Sequence, residues 1–172
     1  KDTIAIVDVV KKYGEEMLVI KAAIEANQKQ KKRVIEKIIS KMNGVSGKII
    51  GILGLSFKPD TDDMREAPSI DIIRGLVKSG AKIHAYCPEG IKEARWRLAD
   101  IEKNIIYCAD EYSIANDADG IVLITEWNQF RGMNLKNVRE RMKDNFYFDL
   151  RNVYVKDSNV RKIFKYYPIG QE

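Results

Sequence analysis

Apolar residues recur at two different periods along this chain, and the change falls near residue 46. Before it the spacing is helical: Ile4, Val7 and Val10 stand a turn apart, which predicts a helix over 3–13 stopped by Gly14. Asp2 sits where an N-cap would sit, its carboxylate suited to the free N–H groups of the first turn. A second helical pattern covers 17–42. Ile20, Ala23 and Ile24, then Val34, Ile35, Ile38, Ile39 and Met42, flank a polar centre, and Asn43-Gly44 ends the run. At the α-helical rise it extends about 39 Å, long for one small domain, so it is expected to bridge domains or subunits.

After Ser46-Gly47 short apolar runs alternate with helical stretches. Strands are expected over 48–53, 81–86, 104–107, 120–124 and 145–148, with 166–169 as a further edge strand. Helices are expected over 69–78, 90–99, 112–115 and 135–142. This alternation predicts an α/β fold with a parallel, doubly wound sheet. The strands read as continuously apolar, which implies helices on both faces. The division expected is a helical connector over 1–46 and a sheet domain over 47–172.

Composition narrows the class. The 172 residues are 45% hydrophobic and 32% charged, an ordinary globular mixture, and no apolar run is long enough to span a bilayer. Four of the five residues 29–33 are basic, within a net charge of +5. They read either as an anion-binding patch or as the solvated face of a helix. With no interleaved aromatics and no nucleic-acid motif, the solvated face is expected and no nucleic-acid partner. Cys87 and Cys108 lie far apart and His84 is the single histidine, so there is no zinc set. Reduced thiols and a cytoplasmic location follow as expectations. The chain opens Lys1-Asp2-Thr3, without an initiator methionine or a signal-peptide pattern, as a fragment would.

In open α/β sheets ligands bind beyond the carboxyl ends of strands, where strand order reverses. Three loops qualify: Ser56 through Glu66, Thr125-Glu126-Trp127, and Asp149-Leu150-Arg151-Asn152. Each sets charged or polar groups beside an aromatic, which suits a base-plus-phosphate ligand. The first strand ends Gly51-Ile52-Leu53-Gly54-Leu55-Ser56-Phe57, where Phe57 takes the place of the third glycine of a dinucleotide turn. NAD is therefore not expected on this turn. Lys58 and Arg65 suit phosphate or carboxylate. Asp60, Asp62, Asp63 and Glu66 offset them, so a charged surface loop with internal ion pairs stays open beside the ligand reading.

The run Phe57-Lys58-Pro59-Asp60-Thr61-Asp62-Asp63-Met64-Arg65-Glu66-Ala67-Pro68-Ser69, together with Thr125-Glu126-Trp127 and Phe130, resembles the UDP-binding domain of the UDP-glucose and GDP-mannose dehydrogenase family. The long helix with Asn27 and Gln30 is similar to that family's central connecting helix, so the resemblance covers essentially the whole chain. It implies a Rossmann-like parallel sheet with helices on both faces, preceded by a helical connector with one long helix. It also implies part of an NAD-dependent enzyme that oxidises the C6 alcohol of a nucleotide sugar twice, with an N-terminal NAD-binding domain absent here. The Asp-Asp-Met-Arg-Glu-Ala-Pro-Ser form is closer to members acting on UDP-glucose, giving UDP-glucuronate for polysaccharide biosynthesis. The family's nucleophilic cysteine stands in Cys-Phe-Pro-Lys-Asp. Lys1-Asp2 match its end, which places that cysteine upstream and gives Asp2 a catalytic role beside its capping one. By the same resemblance Phe57, Lys58 and Arg151 bind the UDP-sugar, Arg65 reaches NAD, and Thr125-Glu126-Trp127 shapes the pocket wall. Cys87 departs from the family's Tyr-Asp-Pro. A homodimer through the long helix is implied, and this chain alone is expected to be inactive. The alternatives are a stand-alone nucleotide-sugar-binding module, or the same chemistry on another UDP-hexose.

Overall fold

The computed structural model describes residues 2–171, with backbone alone for 2–5 and 8. The chain opens with two helices, α1 (Asp2–Lys11) and α2 (Leu18–Lys41). Helix α1 begins at Asp2 itself, one residue before the sequence-based start, and the Asp2 side chain lies outside the described residues. Helix α2 stops where expected. Asn43 and Gly44 take positive φ of 52° and 86°, and the Gly44 N–H closes on the Ile39 carbonyl at 2.8 Å.

The rest alternates: β1 (Ile49–Leu53), α3 (Pro68–Lys78), β2 (Lys82–Tyr86), α4 (Ile91–Arg97), β3 (Ile105–Tyr107), β4 (Gly120–Leu123), α5 (Asn128–Arg131), α6 (Leu135–Arg141), β5 (Phe146–Asp149), α7 (Val160–Ile163) and β6 (Lys165–Pro168). Two 3₁₀ turns, Ala99–Asn104 and Ser113–Ala115, complete the crossovers. Short α5 and α7 lack the length for a helical period to show in the sequence. All six strands are parallel, in the order β3-β2-β1-β4-β5-β6.

Strand alternation sorts the two faces. Gly120 pairs with Ile50 and faces α2, where an added Cβ would lie 3.0 Å from the Met42 methyl. Gly51 faces the other way, where a Cβ would meet Ile114 of the second 3₁₀ turn at 2.8 Å. Helix α3 packs against α2 and β2, and Gly75 lets Ile35 of α2 approach it closely. Val34, Ile38 and Met42 join Ile50, Ile52, Ile72, Ile73 and Leu76 in one buried core. The C-terminal half of α2 thus packs as part of the sheet domain's core.

Two expectations need correction. The five-residue basic run is not uniformly solvated, because Lys31 is buried and donates to Asp71 Oδ2 at 2.6 Å. A lysine can lie against an apolar face when its head finds a carboxylate. Nor are all strands continuously buried: β4 and β5 are, and β1 is beyond Ile49, whereas β2, β3 and β6 mix buried with exposed or half-buried positions. β3 and β6 are the sheet edges, where cover runs out, and Ile106 stands exposed there.

Candidate functional site

Strand order reverses between β1 and β4, the point where an open sheet offers its ligand crevice beyond the carboxyl ends of the strands. The floor is tightly joined. The Gly54 N–H donates to the Tyr86 carbonyl at 2.9 Å, and that of Ile124 to the Leu53 carbonyl at 2.8 Å. Gly54 has a φ of 85°, and a Cβ there would sit 2.6 Å from Thr125 Cβ. The backbones of the two loops can touch only because this residue is glycine.

Ser56 is the buried hub. Its Oγ donates to the Lys58 carbonyl at 3.0 Å and accepts the Trp127 indole N–H at 3.3 Å, while Thr125 Oγ1 donates to its carbonyl at 2.6 Å. Its hydroxyl also lies 3.7 Å from Cys87 Sγ. Thr125 and Trp127 therefore fasten the β4 loop onto the β1 loop on either side of Glu126. Cys87 and Cys108 are both free thiols, the first buried and the second half-buried. Burial, with Asp110 nearby, pushes the Cys108 thiol up to about 11.

Past this hub the expected site residues emerge. Phe57 is 43% exposed, and Lys58 Nζ lies 5.5 Å from the centre of its ring. Among the described residues Lys58 has no carboxylate partner. Arg65 instead hydrogen-bonds Asp63 through Nε at 2.9 Å and Nη2 at 2.5 Å, so the internal-ion-pair reading of this loop holds for that pair. Asp63 is set for it by accepting the Arg65 N–H at 2.9 Å, while its carbonyl accepts the Phe57 N–H at 3.0 Å. Arg65 lines a depression of about 300 Å³ with Asp62, Glu93, Trp96 and Arg97 on the α4 side, which Phe57 and Lys58 do not line. The loop thus brings Phe57 and Lys58 together and sends Arg65 elsewhere.

Arg151 stands on the β5 loop, separated from the β1 loop by β4. Its guanidinium pairs with Glu126. Burial alone would raise the Glu126 carboxyl. The Arg151 hydrogen bond and charge, helped by the Glu126 backbone and Arg131, outweigh that and hold it below the usual carboxylate range. Among the charged residues brought to the crevice, Asp149 is one that sequence reasoning left without a role. Fully buried at the end of β5, it accepts the Arg151 N–H at 3.1 Å, the Tyr154 N–H at 2.9 Å and the Tyr166 hydroxyl at 2.6 Å. An acid directly after the aromatic run Phe146-Tyr147-Phe148 was its only signal.

The β1–α3 connection does not fit NAD. It runs from Gly54 to Ala67 before α3 starts at Pro68, and Gly54 is filled by Thr125 rather than open to a pyrophosphate. A separate cavity of about 130 Å³ lies between α2 and the ends of β5 and β6, lined by Gln30, Lys37, Phe148 and Tyr167 among others, away from the strand reversal.

Sheet order, crevice and loops define a doubly wound nucleotide-binding domain that is not a dinucleotide cradle. Residues 51–156 match the model of the UDP-glucose/GDP-mannose dehydrogenase family, UDP binding domain, and the chain belongs to that family. It is 36% identical over 173 residues to a UDP-glucose 6-dehydrogenase of Rhizobium meliloti (strain 1021), covering 99% of this chain and 38% of that protein. It is 34% identical over 171 residues to the UDP-glucose 6-dehydrogenase TuaD of Bacillus subtilis (strain 168), covering 99% of this chain and 36% of that one. Among solved structures, a UDP-glucose dehydrogenase from the hyperthermophilic archaeon Pyrobaculum islandicum superposes with a TM-score of 0.71 at 28% identity, over 85% of this chain and 35% of that one. The chain thus spans less than half the length of the relatives it matches.

Proposed function

We propose that this chain is the UDP-sugar-binding part of an NAD-dependent UDP-glucose 6-dehydrogenase, which oxidises UDP-glucose to UDP-glucuronate. The observation that carries the reading is Lys58. It is a cation without a carboxylate partner among the described residues, beside a half-exposed Phe57, at the mouth of the β1–β4 crevice in a family whose matched domain binds UDP. Phe57 offers an apolar face to the nucleotide sugar, and Lys58 and Arg151 offer charge to its diphosphate. NAD, held mainly by a domain beyond this chain, accepts hydride when bound, and Arg65 is the residue of this chain directed toward it. Asp2 assists proton transfer beside an upstream cysteine.

In this reading residues 1–46 connect the two nucleotide-binding parts and 47–172 hold the UDP-sugar. Two copies pair through the long helix. In support, Leu18 and Val19 are 68% and 84% exposed, and Ile6, Val9 and Tyr13 stand out on the neighbouring helix and its end. The free thiols fit a cytoplasmic protein. No described helix is long and apolar enough to cross a membrane.

The test is full-length protein supplied with UDP-glucose and NAD. Two NADH should appear for each UDP-glucuronate, one per two-electron oxidation, with water supplying the added oxygen. Tight UDP-glucose binding with no NADH would favour a non-enzymatic module. Turnover of another UDP-hexose alone would shift the substrate.

A further inference from the structure

We propose that Glu126 is a positioning residue for Arg151, holding its guanidinium at the crevice mouth in the attitude that takes up the charge of a nucleoside diphosphate. This rests on the reading above that Arg151 meets the UDP-sugar. Arginine is a flexible side chain, and fixing it at the moment of binding costs conformational entropy. Here both of its ends are fixed beforehand. Its backbone N–H is held by buried Asp149 at 3.1 Å, and its Nη2 donates to Glu126 Oε1. Glu126 is itself held, because its neighbours Thr125 and Trp127 bond to Ser56 at 2.6 and 3.3 Å. The chain of support runs from the core at Ser56, through Glu126, to the guanidinium of an arginine whose side chain is 44% exposed.

The contact uses one edge of the fork. A guanidinium carries five N–H donors, and Glu126 engages Nη2 through a single oxygen while its Oε2 is buried without a partner among the described residues. The remaining donors of Arg151 are left for a second anion. Glu126 therefore orients the cation and does not use it up. Against its burial, the Arg151 hydrogen bond and charge hold the Glu126 carboxyl below the usual carboxylate range.

The test compares the affinities of the full-length protein for UDP and for uncharged uridine, by calorimetry. It uses wild type, Glu126→Gln, Arg151→Ala and the double variant. Glu126→Gln should weaken UDP about five- to tenfold, as for loss of part of one charge-assisted contact. Uridine should change by less than about twofold, and Glu126→Gln should add little once Arg151 is alanine, as coupling requires. Equal weakening of UDP and uridine with a lowered melting temperature would mean a structural role only, and overturn the proposal. Tighter UDP binding would mean that the carboxylate competes with phosphate, and overturn it too. If Glu126→Gln does not fold, Glu126→Asp, which withdraws the carboxylate by one methylene, must show the same selective loss. A wild type that binds UDP beside an unchanged Glu126→Gln defeats the positioning role alone. A wild type that binds neither UDP nor UDP-glucose defeats the nucleotide-sugar reading, and this inference with it.

Discussion

Lys31 of α2, only 6% exposed, donates to Asp71 of α3 at 2.6 Å and so fixes the long helix against the sheet domain. The pair is lopsided, because the Asp71 side chain is 45% exposed. Removing the lysine head leaves a carboxylate that water can reach, whereas removing the carboxylate leaves a buried ammonium. Lys31→Met should therefore cost about 1 kcal/mol or less, and Asp71→Ala about 2–3 kcal/mol, below the usual buried-pair loss because one partner is wet. Urea unfolding of both variants checks the order. Equal costs would mean that the pair behaves as a surface ion pair.

That pair also marks a limit of the sequence. The basic run 29–33 looks uniform, and only the packing of α3 decides which lysine turns inward. The sheet was legible chiefly through its central strands β1, β4 and β5, which are largely buried runs that stand out between helical stretches. The crevice was legible because strand–helix alternation implies a reversal of strand order, and the Lys58 loop carries a specific motif. Asp149 was not, because its partners Tyr154 and Tyr166 come from residues after β5 that only the fold brings back. The Arg151–Glu126 pair joins positions 25 apart on two loops, and no local pattern announces it.

Gly54→Ala should be among the most damaging single changes to the crevice. The added Cβ would face Thr125 Cβ at 2.6 Å and its carbonyl at 2.7 Å, in a φ of 85° that disfavours any side chain. The Thr125 backbone, with its nitrogen also at 2.8 Å, leaves little room to relax, so a loss of about 3 kcal/mol or more is expected. Gly75→Ala meets side-chain atoms of Ile35 rather than backbone, Cδ1 at 2.6 Å and Cγ2 at 3.0 Å, and gains helix propensity, so its loss should be smaller, about 1–2 kcal/mol. Thermal melts of the two variants should separate clearly.

Burial, then the hydrogen bond and charge of Asp149, raise the Tyr166 hydroxyl well above its ordinary 10.0. Its folded value exceeds the unfolded one, so its contribution to stability is complete below the ordinary phenol range and is lost as pH climbs through the raised value. Tyr147 and Tyr154 shift in the same direction, chiefly through burial. Phenolate absorbance from these three should therefore appear together with loss of the far-ultraviolet circular dichroism, as alkaline unfolding. Early, non-cooperative ionisation of all eight tyrosines, with the fold intact, would contradict the buried cluster.

If two copies pair through the long helix, the exposed apolar positions Leu18 and Val19 are the ones to charge. The double change Leu18→Lys and Val19→Glu leaves the buried Val34, Ile38 and Met42 untouched and should not lower the melting temperature of the sheet domain. It should weaken association at least about tenfold, since two exposed apolar side chains of this size contribute a few kcal/mol when buried. Sedimentation velocity over a concentration series reads the change. An unaltered dimer would place the contact elsewhere, and a monomeric parent would remove the pairing altogether.

Lys58 and Arg65 lie seven positions apart on one loop, yet the fold gives them different surroundings, and their variants should fail differently. Lys58 lies over Phe57 with no described carboxylate partner, whereas Arg65 is bound to Asp63 and lines the depression beside α4. In the full-length enzyme Lys58→Ala should raise the KM for UDP-glucose with little change for NAD. Loss of one charge-assisted contact corresponds to roughly 1.5–3 kcal/mol, about ten- to a hundredfold in affinity. Arg65→Ala should instead raise the KM for NAD and spare UDP-glucose. Asp63→Ala should reproduce part of the Arg65 effect, because Asp63 sets the direction of that guanidinium and also receives the Phe57 N–H at 3.0 Å through its carbonyl, which the substitution keeps. Steady-state kinetics with each substrate varied in turn separates these outcomes from a loop that merely carries surface charge, for which both variants would lose a little stability and keep wild-type kinetics. An Arg65→Ala enzyme with unaltered NAD dependence would withdraw the cofactor role from Arg65 while leaving that of Lys58 standing.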